Sequence, residues 1–448
     1  MQHPAHGLGW LWRSRAWSVA LVGVVALLVR LVVVWVLPLA DRGDLVGWEE
    51  TARRVTLAGI QRGYASLDPG SLYPPAFFYP LWLTGKVYVA CCSPEFELGT
   101  RSLDLLMRLG PVIMDALLAC LVWALARTWS PRAGAGWAGL LYAVCPAVLV
   151  TVGQRGMIGD PYVAALVVVA VLAVQRGWPV AAAASATLAV LTKPQALALA
   201  PLLMFLVLRR ASVRQRVAAA TASALVTLAV LLPFIAYGAL PEVSAAVRAM
   251  ASLHANTQNS ADNLWTLLPV WRLAGSAVGP FGAVPDETPA FAGVSYRDAG
   301  IAAFAILQVF TLARLWRGAT PPQVAQAAAV LSLGFFFINT RMHVNYVFLT
   351  FPFLCALAGT NRLATRLVLA GVTLACVLDW QDTLPWAIHR ANAALYAASF
   401  AALCVLGPAR VVLEAARGRR AGRLPRRLPV QTALTPSEVT AVPERPAA

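Results

Sequence analysis

The sequence is short of charge. Of its 448 residues, only 12% are Asp, Glu, Lys or Arg, against about 25% in soluble domains. That scarcity excludes a water-facing globular surface over most of the chain. Lysine is almost missing: only Lys86 and Lys193 among 36 basic residues. No Gly-rich phosphate-cradling motif occurs, which excludes the usual nucleotide loops. The seven cysteines, Cys91, Cys92, Cys120, Cys145, Cys355, Cys376 and Cys404, show no metal-ligand spacing. Most lie in apolar runs, so they read as small core residues and not as a disulfide framework.

What is abundant is apolar: 59% of the chain is hydrophobic. This composition predicts an all-α polytopic membrane protein whose partner is the lipid bilayer, because a lipid-facing surface must be apolar. The net charge of +16 does not predict nucleic-acid binding. The arginines fall in short loops and in the C-terminal tail, where basic residues report membrane orientation. Arg13 and Arg15 precede an apolar run that reaches about Leu39. It is too long for a signal-peptide core and predicts a signal anchor.

Runs able to span are predicted near 17–39, 104–126, 134–152, 160–175, 179–192, 194–208, 217–237, 299–316, 322–338, 344–359, 363–379 and 392–407, about 12 transmembrane helices in all. Loops holding Arg127/Arg132, Arg176, Arg209/Arg210/Arg214/Arg216, Arg314/Arg317 and Arg362/Arg366 alternate with loops poorer in basic residues. The positive-inside rule then puts this set and both termini in the cytoplasm of a multi-pass cell-membrane protein. Counting 76–92 as a further span would flip every later loop. It is therefore read as a re-entrant or interfacial helix in a long first outer loop, 40–103. A second outer loop covers 238–298. The domain reading is one transmembrane unit over 1–407 and a basic, Arg/Pro-rich, disordered tail over 408–448.

With this topology the uncommon polar groups gather on the outer face. Asp41 and Asp44 follow the first helix. Tyr73 precedes Pro74-Pro75. Gln154, Arg155 and Asp160 separate the third and fourth runs, and Lys193 and Gln195 the fifth and sixth. The second outer loop carries His254, Asn263 and Trp265. "NTRMHVNY", residues 339–346, puts Arg341, His343, Asn345 and Tyr346 between two apolar runs. Each piece alone reads as a solvated helix end, a rigid turn or a cap. Their convergence on one face predicts a single site.

These pieces also carry a resemblance. Asp41 stands seven before Trp48, and GIQRGY, LYPP, MRLGPVIMD, LTKPQALALAP, NSADNLWTL and TRMHVNY follow in order between about residues 30 and 350. Together they resemble the GT-C superfamily of polyprenyl-phosphate-sugar-dependent glycosyltransferases, most closely bacterial Gpi18-like mannosyltransferases. The chain departs from that pattern at Val344 and Asn345, where Glu and Arg are usual. It departs again at Gly153-Gln154-Arg155-Gly156, where the usual carboxylate is missing and Asp160 is the nearest one.

The resemblance implies inverting transfer of a sugar, mannose by preference, from a polyprenyl-phosphate-linked donor to a glycan or glycolipid acceptor on the extracytoplasmic side. The catalytic residues are Asp41 as general base, with Asp44 as its rival one turn away. Leu45, Trp48, Ala52 and Val55 follow Asp41 at helical spacing and predict an interfacial helix lying on the membrane. Arg341, His343 and Lys193 are the candidates for the lipid phosphate. Tyr73, Gln154, Asp160, Gln195, His254, Asn263, Trp265 and Tyr346 are the candidate substrate contacts. No cofactor and no metal site is predicted, although some members of the superfamily use a divalent cation. Two other classes stay open: a transporter or flippase of lipid-linked sugars, and a non-catalytic GT-C-like membrane subunit. Arg30 and Asp115, each in mid-helix, are expected to pair.

Overall fold

The structure, a computed structural model, describes residues 18–37, 39, 42–66, 72–252, 255–268, 283–316, 318–360, 363–381 and 383–420; the side chains of 251, 291 and 407–420 are not described. Asp41 and His254, two of the predicted site residues, lie outside the described residues. The chain divides into a unit Met1–Leu406 and a second, Gly407–Ala448. Of the second, only 407–420 is described, and it is helical.

The described fold is almost wholly helical. In order, the helices are α1 (Val19–Val36), α2 (Gly43–Ala58), α3 (Phe78–Cys91), α4 (Arg101–Arg127), α5 (Arg132–Ala143), α6 (Gly159–Gln175), α7 (Pro179–Thr192), α8 (Ala200–Arg210), α9 (Val213–Ala236), α10 (Leu240–Ser252), α11 (Tyr296–Leu315), α12 (Pro321–Ile338), α13 (Phe351–Ala358), α14 (Leu363–Asp379) and α15 (Trp386–Arg420). One small antiparallel hairpin, β1 (Pro289–Phe291) and β2 (Val294–Ser295), precedes α11. The helix starts follow ordinary capping chemistry. Ser18, Thr100, Ser212 and Ser295 accept from the first-turn amides of α1, α4, α9 and α11. Proline opens α7 and α12, where its missing N–H costs nothing.

The expectation of about twelve spans is not met. Among the described residues, five helices are long and apolar enough to cross a membrane: α1, α4, α9, α11 and α12. They become six if α5 and the bent continuation Pro146–Gln154, which turn through 42°, form one broken span. The other apolar runs are short or interrupted. At 1.5 Å per residue, α6 and α7 extend only about 26 and 21 Å, less than the ~30 Å hydrocarbon core. The runs near 194–208 and 344–359 each open as a 3-10 turn and only then continue as a short α-helix, with Pro201 and Pro352 at its start. α6 is also buried on nearly every face, so its apolar character reports enclosure by protein and not contact with lipid. Helix α3, inside 76–92, is not among the helices that qualify as spans.

The first loop holds helices as expected, but their apolar stripe is placed differently. Leu45, Trp48, Ala52 and Val55 are all buried within the protein, and α2 packs along α3. Trp48 meets Tyr73 and Phe77 edge-on at 6.0 and 6.3 Å. Glu49, on the same helix, is also buried. It accepts from the Gly99 amide at 3.1 Å and from Arg42 at 3.3 Å, while Arg42 also holds Asp104 at 2.7 Å. Burial pushes the Glu49 carboxyl up, and its hydrogen bond with Asp104 adds to that, to about 7.

One buried ion pair ties three helices together, as the sequence predicts. Arg30 of α1 and Asp115 of α4 meet at 2.5 Å with almost no exposure. Tyr142 of α5 donates to the other carboxylate oxygen. Arg30 also donates to the carbonyls of Ala26 at 3.1 Å and Ala143 at 2.8 Å.

Two outcomes follow from these contacts. Arg30→Met and Asp115→Leu, each alone, should cost about 3–5 kcal/mol by stranding a buried charge, while the double variant should be milder than the worse single. Unfolding of the four proteins in one detergent measures the cycle, and a double variant no better than the worse single removes the pairing. For Glu49, the folded protein binds the proton more tightly than the unfolded chain. Its contribution is full below its ordinary value of 4.5 and is lost as pH rises through about 7. Glu49→Gln should therefore flatten the fall in thermal stability over that interval; identical pH profiles would refute the assignment.

Candidate functional site

The polar residues gather around one buried ion pair. Lys193 directly follows α7 as its C-cap, and Pro194 comes next. A residue before proline is driven out of the helical region, and Lys193 is extended at φ −156, ψ 134. That turn directs its ammonium to Asp160, in the first turn of α6, where the helix dipole favours a carboxylate. Lys193 Nζ lies 2.8 Å from both carboxylate oxygens, and both side chains are 3% exposed. An ammonium has three donors, so one remains after Asp160.

Four further segments close around this pair. Asn345 donates to Asp160 at 3.1 Å, and its side-chain oxygen lies 2.9 Å from His343 Nδ1. The rings of Tyr73 and Tyr346 lie 5.8 and 5.6 Å from Lys193 Nζ, within cation–π reach. Tyr73 stacks on Phe77 at 4.4 Å, and its carbonyl accepts from Tyr64 at 2.6 Å. Gly159 lets these groups approach: a β-carbon there would stand 3.3–3.7 Å from Phe77, Lys193 and Tyr73. Burial pushes the Tyr73 hydroxyl up, and the charges of Tyr346, Asp160 and Asp44 push the same way. Asp44 is thus electrostatically part of the cluster, although its own side chain is exposed in the first turn of α2. His343 sits edge-on to Trp380 at 5.7 Å. Gln195 is buried beside Pro194, and neither polar atom of its amide has a hydrogen-bond partner among the described residues. Such a group calls for a partner from outside the chain.

Other predicted residues face different partners. Arg341 has a left-handed backbone, φ 63, and its guanidinium fork is closed on Asp286 at 2.6 and 2.8 Å. Asp286 also accepts from Thr340 at 2.8 Å. Burial alone would raise Asp286, but the hydrogen bonds from Arg341 and Thr340 hold it below the ordinary carboxylate value. Asn263 caps the turn Leu264–Leu267 and donates to the Thr257 and Asn339 carbonyls at 3.2 and 3.3 Å. Trp265 is buried against Tyr296 and donates to the Ile338 carbonyl at 3.0 Å. Both therefore brace the loop 255–268 against the end of α12. Gln154 is half-buried at the end of a π-turn, Val150–Gln154.

Asp262, in the same loop, is bound at its carboxylate by His389 at 3.1 Å and Asn392 at 2.8 Å, while its amide donates to Asp379 at 3.0 Å. Asn345, Asp286 and Asp262 were not singled out as site residues by the sequence. The position of Asn345 inside the polar octet was the signal for it. Nothing in the sequence pairs Asp286 with Arg341. No group of three or more His, Cys, Asp or Glu able to hold a metal occurs among the described residues.

No family model matches the sequence, and no curated protein is similar to it at a significant level. Solved structures are similar to it at low identity. The crystal structure of ArnT from Cupriavidus metallidurans bound to undecaprenyl phosphate is 16% identical, with 87% of this chain and 77% of that chain covered and a TM-score of 0.49. The apo state of the same ArnT is 17% identical over 86% and 76% of the two chains, with a TM-score of 0.44. The archaeal oligosaccharyltransferase AglB from Archaeoglobus fulgidus, in complex with an inhibitory peptide and a dolichol-phosphate, is 15% identical over 90% and 56%, with a TM-score of 0.39.

The Arg341–Asp286 fork generates a stability prediction. Arg341→Ala should destabilise the protein by about 1.5–3 kcal/mol, the value of a charge-assisted hydrogen bond. The part owed to the low Asp286 value is present above the ordinary carboxylate range and is lost as pH falls through the folded value. Thermal unfolding of Arg341→Ala and wild type at pH 7 and at pH 3 checks this: the gap should shrink at pH 3, and an unchanged gap refutes it.

Proposed function

We propose that this chain is an integral-membrane, inverting glycosyltransferase of the GT-C kind. It moves a sugar, mannose by the motif resemblance, from a polyprenyl-phosphate donor to a glycan or glycolipid acceptor. Both termini are cytoplasmic and the site faces the opposite side. One observation carries the reading: Tyr73, Lys193, His343 and Tyr346, from three of the resembling motifs, gather with Asp160 and Asn345 around the buried Lys193 ammonium.

The reaction requires three things of the protein. The acceptor hydroxyl oxygen bonds to the anomeric carbon as the carbon–oxygen bond to the lipid phosphate breaks. The bonding electrons leave with the phosphate, and the hydroxyl proton goes to a carboxylate. Asp41 is the proposed base, with Asp44 at the rim as its rival. An oxygen of the departing phosphate takes the third N–H of Lys193, and His343 donates beside it. Asp160 holds the ammonium charged and aimed, and Asn345 fixes the Asp160 carboxylate. Gln195 supplies its unpartnered amide to the sugar or phosphate, and Tyr346 and Tyr73 wall the donor. Arg341 acts through Asp286, keeping the TRMHVNY turn in place, and not as a phosphate fork. No cofactor enters this scheme.

Transfer of radiolabelled mannose from polyprenyl-phosphate mannose to an envelope extract by the purified protein tests the reading. Asp41→Asn should cut turnover by about 10²–10⁴-fold with lipid binding retained. Asp44→Asn should be mild, because Asp44 is exposed in the first turn of α2, where an amide is readily accommodated. If the effects are exchanged, the base is Asp44. Donor movement across vesicles without transfer would make the chain a carrier, and neither activity would make it a non-catalytic subunit.

A further inference from the structure

The hydrogen bonds around Asn345 decide where the hydrogen of His343 lies. Lys193 Nζ sits 2.8 Å from both oxygens of Asp160, so that carboxylate is an anion and can only accept. The Asn345 amide meets it at 3.1 Å and Met157 Sδ at 3.6 Å. An amide oxygen in that place would face an anion and a second acceptor, so the amide nitrogen stands there. The amide oxygen is thereby turned to His343 Nδ1, at 2.9 Å. That oxygen only accepts, so Nδ1 carries a hydrogen. A neutral imidazole has one N–H. In neutral His343 it is on Nδ1, and Nε2 is an acceptor. The resembling family carries Arg where this chain has Asn345. Arginine has no acceptor, so this hold on His343 belongs to this chain.

The other neighbours are mixed in charge. The half-buried His343 ring stands edge-on to Trp380 at 5.7 Å and lies 6.4 Å from the Tyr346 ring. Arg155 lies over the Trp380 indole at 5.0 Å and donates to the Trp380 carbonyl. The titratable and charged groups around His343 are therefore Asp160 through Asn345, Lys193 beyond it, Tyr346, and Arg155 across the indole. Asp160 favours a charged ring and the two cations disfavour it, so the charge of an arriving ligand can tip the balance.

We propose that Asn345 is a positioning residue that locks His343 in its Nδ1–H form, and that a lipid phosphate at Nε2 binds together with a proton. The second half rests on the glycosyltransfer reading, and the first does not. A phosphate dianion offers only lone pairs, and so does Nε2 of the locked neutral ring. One proton from solvent must enter between them. The imidazolium then donates from Nδ1 to Asn345 and from Nε2 to a phosphate oxygen. When the phosphate leaves, the proton returns to solvent.

The test uses the full chain in detergent at about pH 8, above the ordinary imidazole value and above the second ionisation of a phosphomonoester. Nitrogen-15 NMR of histidine-labelled protein reads the tautomer, with His343→Gln identifying the signal. Wild type should show a protonated Nδ1 and an unprotonated Nε2. Asn345→Leu removes the acceptor and should move hydrogen to Nε2. Calorimetry with farnesyl phosphate, a micelle-soluble polyprenyl phosphate, in two buffers of different ionisation enthalpy counts the protons. Wild type should take up about one proton per phosphate bound. Asn345→Leu and His343→Gln, each able to offer a neutral N–H, should bind with little or no uptake. A purely structural Asn345 would weaken binding and leave the proton count unchanged. If Asn345→Leu fails to fold, His343→Gln carries the count. Wild type with its hydrogen on Nε2 overturns the lock, and equal proton counts in wild type and His343→Gln overturn the coupling. No binding of farnesyl phosphate by wild type strikes the glycosyltransfer reading and the coupling with it, while the spectra still decide the lock.

Discussion

A charge that leaves water for an apolar bundle must be met by another charge, and the Lys193–Asp160 pair is where that constraint shapes this protein. Desolvating either ion alone costs several kcal/mol, and only close, well-hydrogen-bonded geometry repays it. The fold meets the demand with local devices. Pro194 ends α7 and turns Lys193 outward from the helical path. Asp160 stands in the first turn of α6, where the dipole helps it. Gly159 leaves room for the Phe77 ring, and Asn345 donates to an Asp160 carboxylate oxygen. The site's components are thus consequences of housing one buried cation.

The same rule repeats elsewhere and explains how the irregular segments are held. Arg30–Asp115–Tyr142 joins α1, α4 and α5. Arg341–Asp286 fastens the TRMHVNY turn to the segment before the β-hairpin. Asp262 with His389 and Asn392 fastens the loop 255–268 to α15. The last two joints fix loop backbone that has no ladder of its own. With the Lys193–Asp160 pair counted, Arg30, Asp115, Asp160, Lys193, Asp262 and Asp286 are all buried in joints of this kind.

This use of buried charge accounts for what was legible in the sequence. Polar residues flanked by apolar runs are conspicuous, so Lys193, Asp160, Tyr73, His343 and Tyr346 were all within reach, and so was the Arg30–Asp115 pair. The partners chosen by Arg341 were not, because Asp286 sits 55 residues away in an unremarkable loop. Asn263 and Trp265 look like ligands in sequence, since capping and burial leave no mark on residue type. The number of spans was misjudged for a related reason: an alanine- and valine-rich run such as α6 is equally suited to lipid and to a protein interior. Hydropathy reports that a segment is dry without reporting what dries it.

The π-turn over Val150–Gln154 has a consequence for how the chain tolerates changes of length. There Met157 bonds back to the Thr151 carbonyl at 3.1 Å, so the Gly153 carbonyl is free to accept from Arg108. Such a turn holds one residue more than regular helix would. Deleting a single residue there would let the strand of hydrogen bonds close into ordinary helix with little local cost, yet it would rotate everything before Asp160 by about a quarter-turn. A shortened chain would still look well folded at that point while Arg108 lost its acceptor and the approach to Asp160 was misaimed.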